Sequence, residues 1–215
     1  MLSGRVAGYG RGMTATRPPD GWLFPSSPQA LEGADRFVGA NATVLDFWRW
    51  AFSDLRDNTQ RGVLAEFLVA LALGRTETRR KPWDNHDVTT ASGLRVEVKA
   101  SGYLQSWAQR THSQLSFGRV IGRTWDANTN EFGAEPEVRA DVFVFSVQTC
   151  KDPHGYDVLD ISQWEFYVVA AERVRECANK SVSIAWVRKH AEPVPFSDLA
   201  ATIERVGRGT ALVSA

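Results

Sequence analysis

From Ala42 onward the apolar residues fall at helical spacing. Leu45, Trp48, Phe52 and Leu55 recur every three or four positions, Phe47 and Trp50 widen the stripe, and Arg49, Ser53 and Asp54 mark the polar side. Thr43 with Asp46 three residues later has the form of a capping box, so an amphipathic helix is predicted over about 43–57. Asn58 and Thr59 supply a break and a fresh cap. A second helix is then predicted from Arg61 to Gly74, where glycine suits the left-handed end of a helix. Val63, Leu64, Ala65, Phe67, Leu68, Val69, Leu71 and Leu73 leave this second helix little polar face, so it is expected to be largely buried. Glu66 is the only acid inside it. A carboxylate there needs a partner: the helix dipole, Arg61 or a later arginine, or a bound cation.

The period then shortens to two. In Trp83–Ser101 the Thr-, Val- and Leu-rich runs flank Ala91-Ser92-Gly93, the pattern of a β-hairpin. On its second strand Leu94, Val96 and Val98 point one way and Arg95, Glu97 and Lys99 the other, because successive Cβ atoms alternate across a strand. A three-residue loop puts Thr90 opposite Leu94 and, three steps back, Asp87 opposite Glu97. Asp87, Glu97 and Lys99 then share one patch; in a bulged hairpin Asp84 would take the place of Asp87. The opposite row, Val88, Leu94, Val96 and Val98, is expected to pack on the second helix at Val63, Phe67 and Leu71.

Further strands are predicted at Leu115–Ile121, at Asp141–Gln148 as a central strand, at Glu165–Ala170 and at Ser181–Val187. A short helix is predicted over Glu172–Ala178, and an amphipathic one over Phe196–Val206 capped by Ser197. Gly122–Ala140 reads as a loop, and Asp141 is expected to pair with Arg139 or a loop amide. Residues 1–35, rich in Gly, Pro, Ser and Arg, read as a mobile or surface-laid arm, within which Met13 offers an alternative start. Residues 36–207 form one domain, and 208–215 read as a loose tail. Helices, then a hairpin, then strands mixed with helices give an α/β fold, a mixed sheet flanked by helices.

An Asp on one strand and Glu-x-Lys on the next, here Asp87 with Glu97-Val98-Lys99, resembles the active-site hairpin of the PD-(D/E)XK nuclease superfamily. The resemblance covers residues 58–107 closely and the remainder as a topology. It implies a restriction-endonuclease-like fold and metal-dependent hydrolysis of phosphodiesters in nucleic acid, DNA before RNA, by an endonuclease rather than an exonuclease, in restriction, repair or defence. Glu66 matches the acid that the preceding helix brings to such a site, and Gln105 matches a glutamine found shortly after the Lys. The implied metal is Mg²⁺, with Mn²⁺ as substitute, held by Asp87, Glu97, the Val98 carbonyl and Glu66. Lys99 would orient the attacking water and the phosphate. A non-catalytic nucleic-acid or protein binding module on the same fold is the alternative.

Charge and composition adjust this picture modestly. Of 215 residues, 43% are hydrophobic, enough for a sizeable core, and 25 basic residues balance 25 acidic ones, so there is no global basic field for coating nucleic acid. Arginines still cluster locally: Arg75, Arg79, Arg80 and Lys81 crowd the approach to the hairpin, where phosphate contact is one reading and a solvated loop the other. Two cysteines make neither a metal motif nor a disulfide framework, and no apolar run nears the roughly 18 residues of a membrane span, so a cytoplasmic setting is expected. Nucleic acid is the expected partner, a membrane is not, and a homodimer is a compatible assembly. No GxxxxGK[ST], GxSxG, HExxH or CxxC motif is present. His86-Asp87 lacks the companions that an HD or HNH metal site needs.

Overall fold

A computed structural model describes residues 21, 23, 29–80, 85–118, 120–123, 125–126, 131–177 and 181–211. Two helices come first, α1 (Val44–Phe52) and α2 (Asn58–Ala72). The hairpin strands β1 (Val88–Thr89) and β2 (Arg95–Gly102) follow, then β3 (Ser116–Gly118), β4 (Trp125–Asp126), β5 (Glu131–Phe132) and β6 (Val142–Gln148). The chain continues through β7 (Trp164–Ala170), α3 (Ala171–Cys177), β8 (Ser181–Ser183), α4 (Ile184–His190), β9 (Pro193–Val194) and α5 (Leu199–Ala211). The main sheet runs β1-β2-β6-β7-β9; β2 and β6 are parallel and the other pairs antiparallel. It is a mixed open sheet in a single compact α/β chain.

Each face of that sheet carries a core. On one, Val96 and Val98 of β2, Val142 and Val144 of β6, and Phe166 and Val168 of β7 meet Ala65, Leu68 and Val69 of α2 and Leu199 and Ile203 of α5. On the other, Phe143, Phe145 and Val147 of β6 and Tyr167 and Val169 of β7 meet Phe117 of β3, Val174 of α3, Val182 of β8 and Val187 of α4. β6 is buried at every residue, as a central strand covered on both faces must be.

Several expectations change here. The face that α2 buries is Arg61, Ala65, Leu68 and Val69, so Phe67 is 50% exposed, Leu71 is exposed and Val63 only half-buried. An apolar sequence all round a helix does not bury all of it when the sheet and α5 cover one side. Val88, Val96 and Val98 are buried as expected, while Leu94 is half-buried against Gly207 of α5, where an added Cβ would lie 2.4 Å from Leu94 Cδ1. Consequently α5 runs on to Ala211, into the segment expected to be a loose tail from 208. The run expected as a strand over Ser181–Val187 turns helical at Ile184, because Ser183 caps α4 by accepting from Trp186 N. Part of the loop 122–140 pairs as β4 and β5. Asp141 pairs with Arg95 rather than with Arg139, which goes to Glu137. Of the arm, residues 1–20, 22 and 24–28 lie outside the described residues, as do Lys81 and the alternative acid Asp84.

Candidate active site at the hairpin

The turn sets the register. Gly93 adopts φ 92°, its N–H donates to Thr90 O at 3.1 Å, and Thr90 N–H donates to Leu94 O at 2.9 Å, so the loop is Ala91-Ser92-Gly93. Ser92 Oγ donates to Glu204 on α5 at 2.8 Å, which ties the turn to the domain. Cross-strand partners are then Thr89 with Arg95 and Val88 with Val96.

Beyond Val88 the ladder departs from the regular pattern. Asp87 N–H donates to Val96 O at 3.0 Å, and the Asp87 carboxylate, through Oδ2, accepts the Val98 N–H at 2.7 Å. The backbone pairing of Asp87 with Glu97 expected from simple parity is therefore replaced by a side-chain bond, which sets the carboxylate against the backbone between Glu97 and Lys99. That local exception to the ladder is what a carboxylate can do and an apolar side chain cannot.

Three acids and two cations make up the surroundings. Lys99 Nζ donates to Glu97 Oε1 at 2.6 Å, with the two side chains 19% and 21% exposed. Glu66, reaching from α2, is gripped by a two-pronged fork from Arg80: Nε donates to Oε2 and Nη2 to Oε1 at 2.9 Å. Among the described residues, no such cation is bonded to Asp87. Burial, then the negative charges of Glu97 and Glu66, push its carboxyl up to about 7, against the Val98 N–H and the Lys99 charge, which pull it down. Arg80 is held above its ordinary value, chiefly by its bond to Glu66, with Asp87 contributing.

The structure thus gathers Asp87, Glu97, Lys99 and Glu66 into one electrostatic neighbourhood. It also adds Arg80, which takes the place expected for a later arginine as the partner of Glu66. Gln105 is not part of this group. Its Oε1 accepts from Arg61 Nη2 at 2.8 Å, and its Nε2 donates to Gly102 O at 3.1 Å and Ser113 Oγ at 2.9 Å. The role implied for it beside the Lys is replaced by a structural one, because a buried guanidinium needs acceptors. Arg61 is fully buried, and its nitrogens also reach Leu104 O, Arg56 O and Asn58 Oδ1. The sequence signal for this was Gly102, where an added Cβ would lie 2.3 Å from Arg61 Nη1. Beside Asp87, His86 Nε2 lies 2.6 Å from Thr89 Oγ1, and its Nδ1 is buried with no partner.

As the side chains stand, no three His, Cys, Asp or Glu groups among the described residues are arranged to hold a metal ion. Glu97 is turned to Lys99 and Glu66 to Arg80. The donor chemistry nevertheless suits a hard divalent cation: the acids are all carboxylates and, among the described residues, they outnumber the cations beside them. No helix among the described residues is long and apolar enough to cross a membrane. No protein-family model matches this chain, and no curated protein matches it.

Proposed function

We propose that this protein is a Mg²⁺-dependent nuclease of the restriction-endonuclease-like type, cutting phosphodiester bonds in nucleic acid, DNA before RNA and internally rather than from an end. The observation that carries the reading is the Asp87 carboxylate bonded to Val98 N–H beside Glu97 and Lys99, with burial, then the charges of Glu97 and Glu66, pushing its carboxyl up to about 7. A surplus of buried carboxylate over neighbouring cations is an arrangement that a bound cation would stabilise, which supports this reading.

Asp87, Glu97 and the Val98 carbonyl would hold the metal, with Glu66 close by. Bound there, Mg²⁺, or Mn²⁺ in its place, supplies neutralisation of phosphate charge and an acidified water. The chain does the rest. Lys99 exchanges its bond to Glu97 for one to a non-bridging phosphate oxygen and so holds phosphorus in line with the attacking water. The attacking water gives one proton to solvent as its oxygen bonds to phosphorus, the bond to the leaving alkoxide breaks, and that alkoxide takes a proton from solvent. Arg80 sits where it can leave Glu66 for a neighbouring phosphate.

The test is calorimetry with Mg²⁺ and Mn²⁺ beside nicking of supercoiled plasmid and cleavage of RNA. Wild type should bind metal and cut; Glu97→Gln should lose metal first and cleavage with it. A wild type that binds no metal and cuts nothing ends this reading. The alternative, a non-catalytic binding module on the same fold, is favoured by one observation: Glu97 and Glu66 are each already satisfied by a cation of the chain itself.

A further inference from the structure

The row of β2 that carries Glu97 and Lys99 continues through Ser101 toward Tyr103, the residue just after the strand. Tyr103 shares its parity with Glu97, Lys99 and Ser101 and packs against the core on that same side of the sheet. At about 3.3 Å per residue it lies roughly 13 Å beyond Lys99. The Lys151 amine stands 4.5 Å from the centre of the Tyr103 ring, and His112 meets the ring edge-on at 6.2 Å.

Next to this group the chain forms an anchored loop. Tyr103 O accepts from Ser113 N at 3.0 Å; Gln109 bonds back to Gln105 N at 2.7 Å and to Ser113 Oγ at 3.0 Å; and Gln105 is fixed on the buried Arg61. The loop's amides are directed inward, which leaves Trp107, Arg110 and His112 facing out; Trp107 is 56% exposed. The loop pinned at Gln105, Gln109 and Ser113 holds the Trp107 ring outward in a fixed place, where it is open to solvent.

The charge is equally one-sided. Between Glu97 and Asp126 the sequence has no Asp or Glu, in a chain whose acids and bases balance overall. The nearest acid on the neighbouring turn, Asp152, directs its carboxylate to its own backbone, accepting from His154 N and Gly155 N. An outward aromatic beside cations, with the Asp152 carboxylate taken up by backbone amides, suits unpaired bases joined by phosphates: the bases stack on rings, and the phosphates meet Arg110 and Lys151. In a duplex the base faces are already stacked on one another.

We infer that the Trp107 loop, with Tyr103, Arg110 and Lys151, is a binding surface for single-stranded nucleic acid, and that the substrate carries unpaired nucleotides beside the bond that is cut. This rests on the nuclease reading. The separation of roughly 13 Å corresponds to about four nucleotides at the spacing of about 3.4 Å along a stacked strand.

The experiment is fluorescence anisotropy in metal-free buffer with a labelled single-stranded oligonucleotide and a blunt duplex of the same sequence, for wild type, Trp107→Ala and the double variant Arg110→Ala/Lys151→Ala. Wild type should prefer the single strand. Trp107→Ala should weaken single-strand binding about tenfold and leave the duplex unaffected. The double variant should flatten the salt dependence by about 1.4 in log–log slope. Circular dichroism melts of the same variants should match wild type, since these side chains lie outside the core. If wild type nicks duplex plasmid and Trp107→Ala binds the single strand as tightly as wild type, this inference falls and the nuclease reading stands. If wild type neither binds nor cuts any nucleic acid, both fall.

Discussion

The two faces of β2 differ in what they demand of the fold. On one, Val96 and Val98 are buried against α2 and α5 and release apolar surface from water. On the other, Glu97 and Lys99 sit about one-fifth exposed, next to a carboxylate that burial and two neighbouring acids hold protonated to about 7. The first face stabilises the hairpin; the second leans on that stability. A site that concentrates like charge is sustained by packing on the reverse side of the same strand, which is the usual trade between stability and function.

The largest effect that would test this division is on activity. Lys99→Ala should lower cleavage at least about 1,000-fold, about 4 kcal/mol of transition-state stabilisation, while calorimetry still detects metal and the melting temperature stays within about 2 °C of wild type. A variant that cuts at the wild-type rate would mean that the charged face does something else.

Next is the apolar face. Val96→Ala should cost about 2–3 kcal/mol in urea unfolding, from two lost carbons and the cavity they leave, whereas Val63→Ala on the half-buried side of α2 should cost under about 1 kcal/mol. Equal losses at the two sites would erase the contrast between a packed and an open flank.

A third test reads the charged face through stability. Because the Asp87 carboxyl is raised in the folded protein, the folded state binds more protons than the unfolded chain between about pH 4 and 7. Stability therefore falls as pH rises through that window and is not recovered above it. Asp87→Asn should be more stable than wild type by about 2 kcal/mol at pH 8, after losing the charge assistance in the Val98 N–H bond, and should show no advantage at pH 4. Denaturant midpoints at the two pH values measure it; a gain at pH 4 and none at pH 8 would reverse the assigned sign.

The smallest expected effect concerns the cation on Glu66. Arg80→Ala should tighten Mn²⁺ binding about fivefold, roughly 1 kcal/mol, since the guanidinium and the metal compete for the same carboxylate. Weaker binding in that variant would instead make Arg80 a support for the metal site.

Periodicity carried a good deal of the architecture. The capping box at Thr43 and Asp46, the helix ending before Gly74, the three-residue turn and the central strand at 142–148 are written in local sequence, because each depends on neighbours a few residues away. The candidate acids were legible for the same reason, since alternation alone puts Glu97 and Lys99 on one side. Not legible was the step at Asp87, where a side-chain bond to Val98 N–H replaces the next rung of the ladder. A later arginine was a candidate partner for Glu66, but which one, Arg80 fourteen positions on, was decided by the path of the chain after α2.

The contrast is sharpest in the two N-terminal helices. Both are apolar enough to predict burial, yet α2 lies on the sheet, while α1 buries only Val44 and leaves Trp50 84% exposed. Amphipathicity specifies which side of a helix seeks cover. Whether cover exists depends on which surfaces the rest of the chain brings alongside. In the same way the sequence by itself determined that Gln105 is polar and close to Lys99, and only the tertiary structure decided that it serves Arg61. A guanidinium taken fully out of water must be met by acceptors, and that need arises only when α2 is laid against Gly102 at the end of β2.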